Sequence, residues 1–226
     1  MKTIVVTPHL SMFARQFCYA ALLLGCLTRF VSAQEPASTQ STPTAAAPVY
    51  KVGDTWTFLW GKTDTKPGVA GVQTVVAVTE NQTTLSVSTS RGPLEVDFNS
   101  QGDLIRKGST TWEPSLGWLN FPMTVGKSWD SRHVSRYASG AIVASEHIEV
   151  VAFERVQVAA GSFDAYKIVI RGVSTPRLSG GAATSFTATW WYAPSVKRVI
   201  KENNESYVYH HINIETGELA AFSLAP

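Results

Sequence analysis

The sequence contains little cysteine, and all of it lies at one end of the chain. Only two of the 226 residues are cysteine, Cys18 and Cys26, and both fall within the first 33 residues. If that segment is absent from the mature protein, no disulfide can hold the remaining fold. The remainder must then be stabilised by a hydrophobic core, and it is long enough to form one.

The N-terminal apolar run is too short to cross a membrane as a helix. Gln16–Leu27 has twelve residues, whereas a spanning helix needs about 20. Arg15 precedes this run, and the small residues Val31-Ser32-Ala33 follow it. This pattern is typical of a cleaved signal peptide over residues 1–33. We therefore expect an exported protein with no integral membrane span in the mature chain.

A second processing route competes with ordinary cleavage. The stretch Leu23–Cys26 resembles a lipobox, in which Cys26 would be lipidated and become the first mature residue. We favour cleavage after Ala33, because its flanking residues fit a signal peptidase site better. Translation can start at Met1 or at Met12 in either case. The expected location is the periplasm, with an outer-membrane lipoprotein or a secreted protein as the alternatives.

The expected mature chain also lacks an excess of positive charge. The first 33 residues carry three basic residues and no acidic one, so 16 basic and 17 acidic residues remain, a net charge of −1. A protein that binds nucleic acid through its phosphates needs a basic surface. The composition therefore predicts no nucleic-acid partner.

Beyond the signal, composition divides the chain into a linker and one domain. Residues 34–48 contain three prolines and no aromatic residue, which predicts a disordered linker. From residue 49 to 226, short β-rich segments alternate with turn residues. We predict a single all-β domain, built as a strongly curled antiparallel meander or an incomplete β-barrel. Gly161 is expected to supply a positive φ in one hairpin, and Thr216-Gly217 to join the last two strands.

The domain lacks the motifs of known catalytic and metal centres. No Gly-x-Ser-x-Gly or Ser-x-x-Lys motif is present, and no cysteine remains as a nucleophile. His147, His210 and His211 are metal-ligating residue types, but none of them forms an i,i+2 pair on one strand face. We predict no catalytic residues, no metal site and no cofactor.

Alternation of apolar residues predicts which side chains face the inside of the sheet. These faces are Ile148/Val150/Ala152/Val156/Val158, Tyr166/Ile168/Ile170, Phe186/Ala188/Trp190/Tyr192 and Val208/His210/Ile212/Ile214. Trp190, Tyr192 and His210 are the candidate ligand-binding residues, because they can orient an apolar molecule. The face that carries Trp129, Ser131 and His133 fits either a concave binding surface or a solvent surface.

Four segments together resemble a widespread group of bacterial exported proteins of unknown function. They are Tyr50–Phe58, Phe121–Trp129, Val156–Ile168 and Trp190–Val196. The resemblance implies a periplasmic protein or lipoprotein built as a curled antiparallel sheet. It brings no established catalytic residues. This chain has Ser195 where the group usually has glycine after Ala-Pro, so a different turn is expected there.

These observations favour a non-enzymatic envelope protein that binds an apolar or amphipathic ligand, such as a lipid. The alternative is a structural or protein-interaction domain in envelope assembly. A metal-dependent enzyme or hydrolase is the least favoured reading, because no motif supports it.

Processing of the export signal is directly testable. We expect the mature protein to begin at Gln34, because a signal peptidase cleaves after small residues such as those of Val31-Ser32-Ala33. Intact mass and N-terminal sequencing of protein purified from the native envelope check this. A diacylglyceryl group on Cys26 as the first residue would contradict it.

Overall fold

A computed structural model describes residues 43–62, 68–89, 92–177, 181–208 and 211–226. Nearly all regular structure in these ranges is β-strand, with a single 3-10 turn at Pro194–Val196. The strands are β1 Thr55–Lys62, β2 Gly68–Val78, β3 Gln82–Thr89, β4 Gly92–Asn99, β5 Leu104–Lys107, β6 Thr110–Glu113, β7 Ser128–Tyr137, β8 Gly140–Val158, β9 Gly161–Pro176, β10 Thr184–Ala193, β11 Arg198–Val208 and β12 His211–Ser223.

The twelve strands form one closed antiparallel barrel. Each strand pairs with the next along the chain, and β1 pairs with β12 from Thr55↔Ser223 to Lys62↔Glu215. The expected all-β antiparallel meander is confirmed, and the sheet closes completely. Closure satisfies the backbone groups that an open sheet would leave unpaired at its two edges.

Two details of the predicted strand pattern are wrong. The four-residue strands β5 and β6 carry a short, largely polar sequence and were not expected. The last hairpin turns between Val208 and His211, and β12 runs through Thr216-Gly217 without a break. Gly217 lies opposite Trp60, where an added Cβ would come within 2.7 Å of the indole ring. This glycine therefore makes room for a side chain and does not form a turn.

The core consists of two clusters of buried side chains. One cluster contains most of the predicted interior residues of β8, β9 and β10, including Ile148, Val150, Ile168, Ile170 and Tyr192. The other contains Val156 and Val158, which follow a β-bulge between Val150 and Ala152.

The predicted interior face around His210 is wrong for Ile212, which is 57% exposed. That prediction assumed one continuous strand from Val208 to Ile214. β11 ends at Val208 and β12 begins at His211, so the two ends of that prediction belong to different strands and need not share one face. His210 itself lies outside the described residues.

The folded domain begins before residue 49. Ala45 is buried and forms both backbone hydrogen bonds with Met123, at 2.9 and 2.8 Å. The C-terminal end of the segment expected to be a linker thus packs against the domain. Residues 1–42, with the expected signal peptide and Cys26, lie outside the described residues. Among the residues described, no helix is long and apolar enough to cross a membrane.

Gly161, in the hairpin between β8 and β9, has a backbone conformation that disfavours other residues. Gly161 has φ +128°, as expected, and an added Cβ would meet no atom closer than 4.0 Å. A side chain there is therefore disfavoured by backbone strain and not by crowding. Ser162 is exposed, and its hydroxyl bonds the side chain of Gln157.

We expect Gly161→Val to destabilise the protein by about 1–3 kcal/mol, because a β-branched residue is strained at positive φ. Thermal unfolding checks this, because each kcal/mol of destabilisation lowers the melting temperature by roughly 2–4 °C. Ser162→Ala is the matched control and should change the melting temperature less. Equal melting temperatures for the two variants would refute the role of Gly161.

Candidate ligand-binding cavity

Part of the barrel interior is filled by the segment between β6 and β7. We call this segment, residues 114–127, the inner loop. The Trp118 ring lies 4.8 Å from that of Trp190 and 5.9 Å from that of Phe186, and the Phe121 ring lies 5.1 Å from that of Tyr192. These contacts join the inner loop to the interior face of β10.

Hydrogen bonds hold the inner loop in place. The carboxylate of Asp103 accepts bonds from the backbone N–H groups of Gly117 and Trp118. Trp129 Nε1 donates to the carbonyl of Gly117 at 2.9 Å. Gly117 has φ +79°, and an added Cβ would lie 1.9 Å from Ser131 Oγ. The loop therefore approaches β7 so closely that only glycine fits.

A cavity of about 790 Å³ lies beside the inner loop, which contributes Leu116 and Leu119 to its wall. This volume is in the size range of ligand pockets, about 300–1,000 Å³. Its walls are mainly aromatic and aliphatic, including Phe58, Trp60, Leu94, Phe98, Leu104 and Leu119. A few polar and charged groups interrupt this surface, among them Gln73, Lys107, Arg198, Glu202 and Glu215.

Arg198 is the most unusual group in the cavity wall. Its guanidinium carbon lies 4.7 Å from the ring centre of Phe98, 5.3 Å from that of Trp56 and 5.8 Å from that of Phe58. Its Nη2 donates to Gln73 Oε1 at 2.7 Å, and its Nε is buried without a partner. Aromatic faces stabilise a guanidinium by cation–π attraction but do not neutralise its charge.

The neighbouring residue, Lys197, differs from Arg198 because it has a carboxylate partner. Its ammonium forms a 2.7 Å ion pair with the fully buried carboxylate of Asp54. Burial alone would raise the pKa of Asp54, but hydrogen bonds from Lys197, from the N–H of Lys51 and from the N–H of Ala225 lower it overall. This contact ties the turn before β11 to the start of β1.

Glu202 is an acidic group of the cavity that titrates near neutrality. Burial raises its pKa to about 7, against the lowering effects of Lys107, an Asn204 hydrogen bond and Arg198. Its Oε1 accepts a bond from Asn204 Nδ2 at 3.1 Å. Below neutral pH this carboxyl is therefore protonated and does not compensate the charge of Arg198.

The structure places two of the three predicted ligand-binding residues at this cavity. Trp190 and Tyr192 both line it. Trp190 Nε1 donates to Asn204 Oδ1 at 3.2 Å, and burial raises the pKa of the Tyr192 hydroxyl. His210, the third, and Cys26, the candidate lipidation site, lie outside the described residues.

Sequence reasoning did not identify Arg198, Gln73 or Glu202 as site residues. Arg198 stands beside Lys197 in a basic pair after a turn, a pattern typical of an exposed corner. Only closure of the barrel brings the start of β11 next to Gln73 of β2, which is 125 residues away. No local signal in the sequence identifies such a contact.

A pair of polar side chains, His133 and Glu146, is also buried. His133 and Glu146 are 5% and 4% exposed, and His133 Nδ1 lies 3.2 Å from Glu146 Oε1. The face carrying Trp129, Ser131 and His133, left open by the sequence, thus points into the barrel. Burial and the nearby Asp103 raise the pKa of Glu146 to about 7, against the effect of Trp118. Burial lowers the pKa of His133, so the neutral pair is favoured.

The described residues contain no group of three or more histidine, cysteine, aspartate or glutamate side chains arranged to hold a metal ion. His133 and Glu146 are close, but Asp103 is bound to the backbone of the inner loop. Its carboxylate is thus engaged in positioning that loop.

The chain resembles solved structures in its fold. A predicted lipoprotein from Parabacteroides distasonis matches it with a TM-score of 0.52 and 12% identity, covering 81% of this chain and 100% of the other. A predicted exported protein with a YmcC-like fold from Bacteroides fragilis matches with a TM-score of 0.53 and 15% identity, covering 80% and 100%. These matches confirm the expected resemblance at the level of the fold. No family model and no curated protein matches the chain.

Glu146 gives a prediction about pH dependence. The folded protein holds this proton more tightly than the unfolded chain, whose carboxyl titrates near 4.5. Its contribution to the free energy of unfolding therefore falls as pH rises from 4.5 to about 7, by about 3 kcal/mol. We expect Glu146→Gln to remove this part of the fall and to leave the part due to Glu202, whose pKa is also raised to about 7; urea unfolding at several pH values measures it.

Glu149→Gln is the control, because Glu149 lies on the opposite face of the same strand. It should keep the wild-type pH dependence. If Glu146→Gln kept it as well, the carboxyl of Glu146 would not be the group that titrates.

Proposed function

We propose that this protein is an exported, non-enzymatic envelope protein that encloses an apolar or amphipathic ligand inside its barrel. The observation that carries the proposal is the cavity of about 790 Å³ beside the inner loop. Its mainly apolar wall with a few placed polar groups is the composition of small-molecule sites. Trp190 and Tyr192, on adjacent inward positions of β10, are the proposed orienting residues.

Export is supported by two independent observations. Residues 1–33 have the pattern of a signal peptide. The proteins that share the fold are a predicted lipoprotein and a predicted exported protein. We propose a periplasmic location, with lipidation at Cys26 as the alternative that would place the protein on the outer membrane.

A protein-interaction role is the second candidate, and one surface favours it. Val72, Val76 and Val78 of β2 are each between 43% and 48% exposed. Exposed apolar residues grouped on one strand are a feature of interaction sites. If the cavity binds nothing, this surface becomes the first place to look for a partner protein.

The binding proposal predicts saturable uptake of an apolar probe. Mature protein is titrated with a fluorescent fatty acid while tryptophan quenching is followed. Trp190→Ala should weaken binding by about tenfold, because the ring supplies a large part of the contact area beside Tyr192. Native mass spectrometry of the purified protein tests for a co-purified lipid.

The matched control is Trp191→Ala. Trp191 is the neighbouring tryptophan, whose Nε1 bonds Glu154 and whose ring does not line the cavity. This variant should bind as the wild type does, with both folds checked by circular dichroism. Absence of saturable binding by the wild type across several lipid classes would overturn the proposal and favour the interaction role.

A further inference from the structure

We propose that the ligand carries a single carboxylate group at the end of an apolar chain, and that Arg198 pairs with that carboxylate inside the barrel. This inference rests on the proposed function, and it names the class of ligand that the cavity takes.

Among the described residues, no carboxylate forms an ion pair with Arg198. Its side-chain hydrogen bonds go to the neutral amide of Gln73 and to the hydroxyl of Tyr50, whose pKa is raised by burial. Arg198 is partly buried and its Nε is buried without a partner, and leaving a charged donor unsatisfied costs free energy. Lys197, one residue earlier, does have its carboxylate, Asp54.

The guanidinium of Arg198 is held in a fixed position. Three aromatic rings and Gln73 hold it against the cavity wall, so its position is already set before a ligand arrives. A planar guanidinium matches the two oxygens of a carboxylate and can bind them as a pair. Preorganisation of this kind reduces the entropy lost on binding.

The charged groups of the cavity wall favour a ligand with one negative charge. Besides Arg198, the titratable residues that line the cavity are Tyr50, Asp103, Lys107, Tyr192, Lys197, Glu202 and Glu215. Lys197 is paired with Asp54, and Asp103 is bound to the inner loop. Glu202 and Glu215 disfavour a doubly charged phosphate, whereas Arg198 and Lys107 favour a single negative charge. The remaining wall, which includes Leu94, Leu104, Leu116 and Leu119, is aliphatic and suits a hydrocarbon tail. A long-chain monocarboxylate combines these two features.

The decisive experiment compares two probes on the wild-type protein. Palmitate and its methyl ester have the same chain, but only palmitate has a carboxylate. Calorimetric titration at pH 7 should show palmitate binding about tenfold or more tightly, as expected for a hydrogen-bonded ion pair. Hexadecyl phosphate should bind more weakly than palmitate.

Substitutions then locate the effect. Arg198→Met keeps the aliphatic stem and should remove most of the preference for palmitate while leaving the affinity for the ester within about twofold. Arg198→Lys keeps the charge and should retain part of the preference. Arg132→Met is the control, because Arg132 is exposed on the outer side of β7 and should not affect either probe.

The outcomes separate this inference from the proposed function. Equal affinity for palmitate and its ester in the wild type would overturn the carboxylate inference and leave the apolar cavity intact. Tighter binding of hexadecyl phosphate would also overturn it. Absence of binding by both palmitate and its ester would overturn the proposed function itself. The wild-type comparison stands even if Arg198→Met fails to fold.

Discussion

Closure of the sheet between β1 and β12 is the constraint on which the rest of the structure depends. Eight strands enclose an interior just wide enough for side chains to fill, and the diameter grows with strand number. A barrel of twelve strands therefore has more interior than its own inward side chains occupy. The inner loop fills part of this space with Trp118, Leu119 and Phe121. The cavity lies beside the inner loop, and Leu116 and Leu119 form part of its wall.

The buried charged groups follow from the same geometry. Asp103 holds the inner loop, and Asp54 joins the turn before β11 to the start of β1 through Lys197. Each of these carboxylates has donors that offset the cost of its burial. Within the part of the chain that the structure describes, Arg198 has an amide, a tyrosine hydroxyl and three aromatic faces as partners but no carboxylate at ion-pair distance. Asp54 and Asp103 therefore stabilise the fold, whereas Arg198 has a charge left for a ligand. The proposed carboxylate would pair with that charge.

The sequence predicted the strands well where their patterns were long. The alternation from Ile148 to Val158 correctly predicts inward side chains along β8, and Gly161 has the expected positive φ. The strand prediction was wrong at Gly217, because glycine is typical of turns but also makes room for a large neighbouring side chain. Gly217 lies within β12, where Trp60 occupies the space of a side chain. The face of His133 fits a solvent surface or a concave binding surface by sequence, and only the tertiary structure shows that His133 is buried.

By itself, the sequence determined the all-β class, the antiparallel meander and the inward positions of Trp190 and Tyr192. These depend on local alternation and on short turns, which are properties of neighbouring residues. Only the tertiary structure decided that the sheet closes, that residues 114–127 enter it, and that Arg198 meets Gln73 and Phe98. Such contacts join residues about a hundred positions apart. These contacts form because closure of the barrel places strands that are distant in sequence side by side. No local pattern of residues encodes that closure.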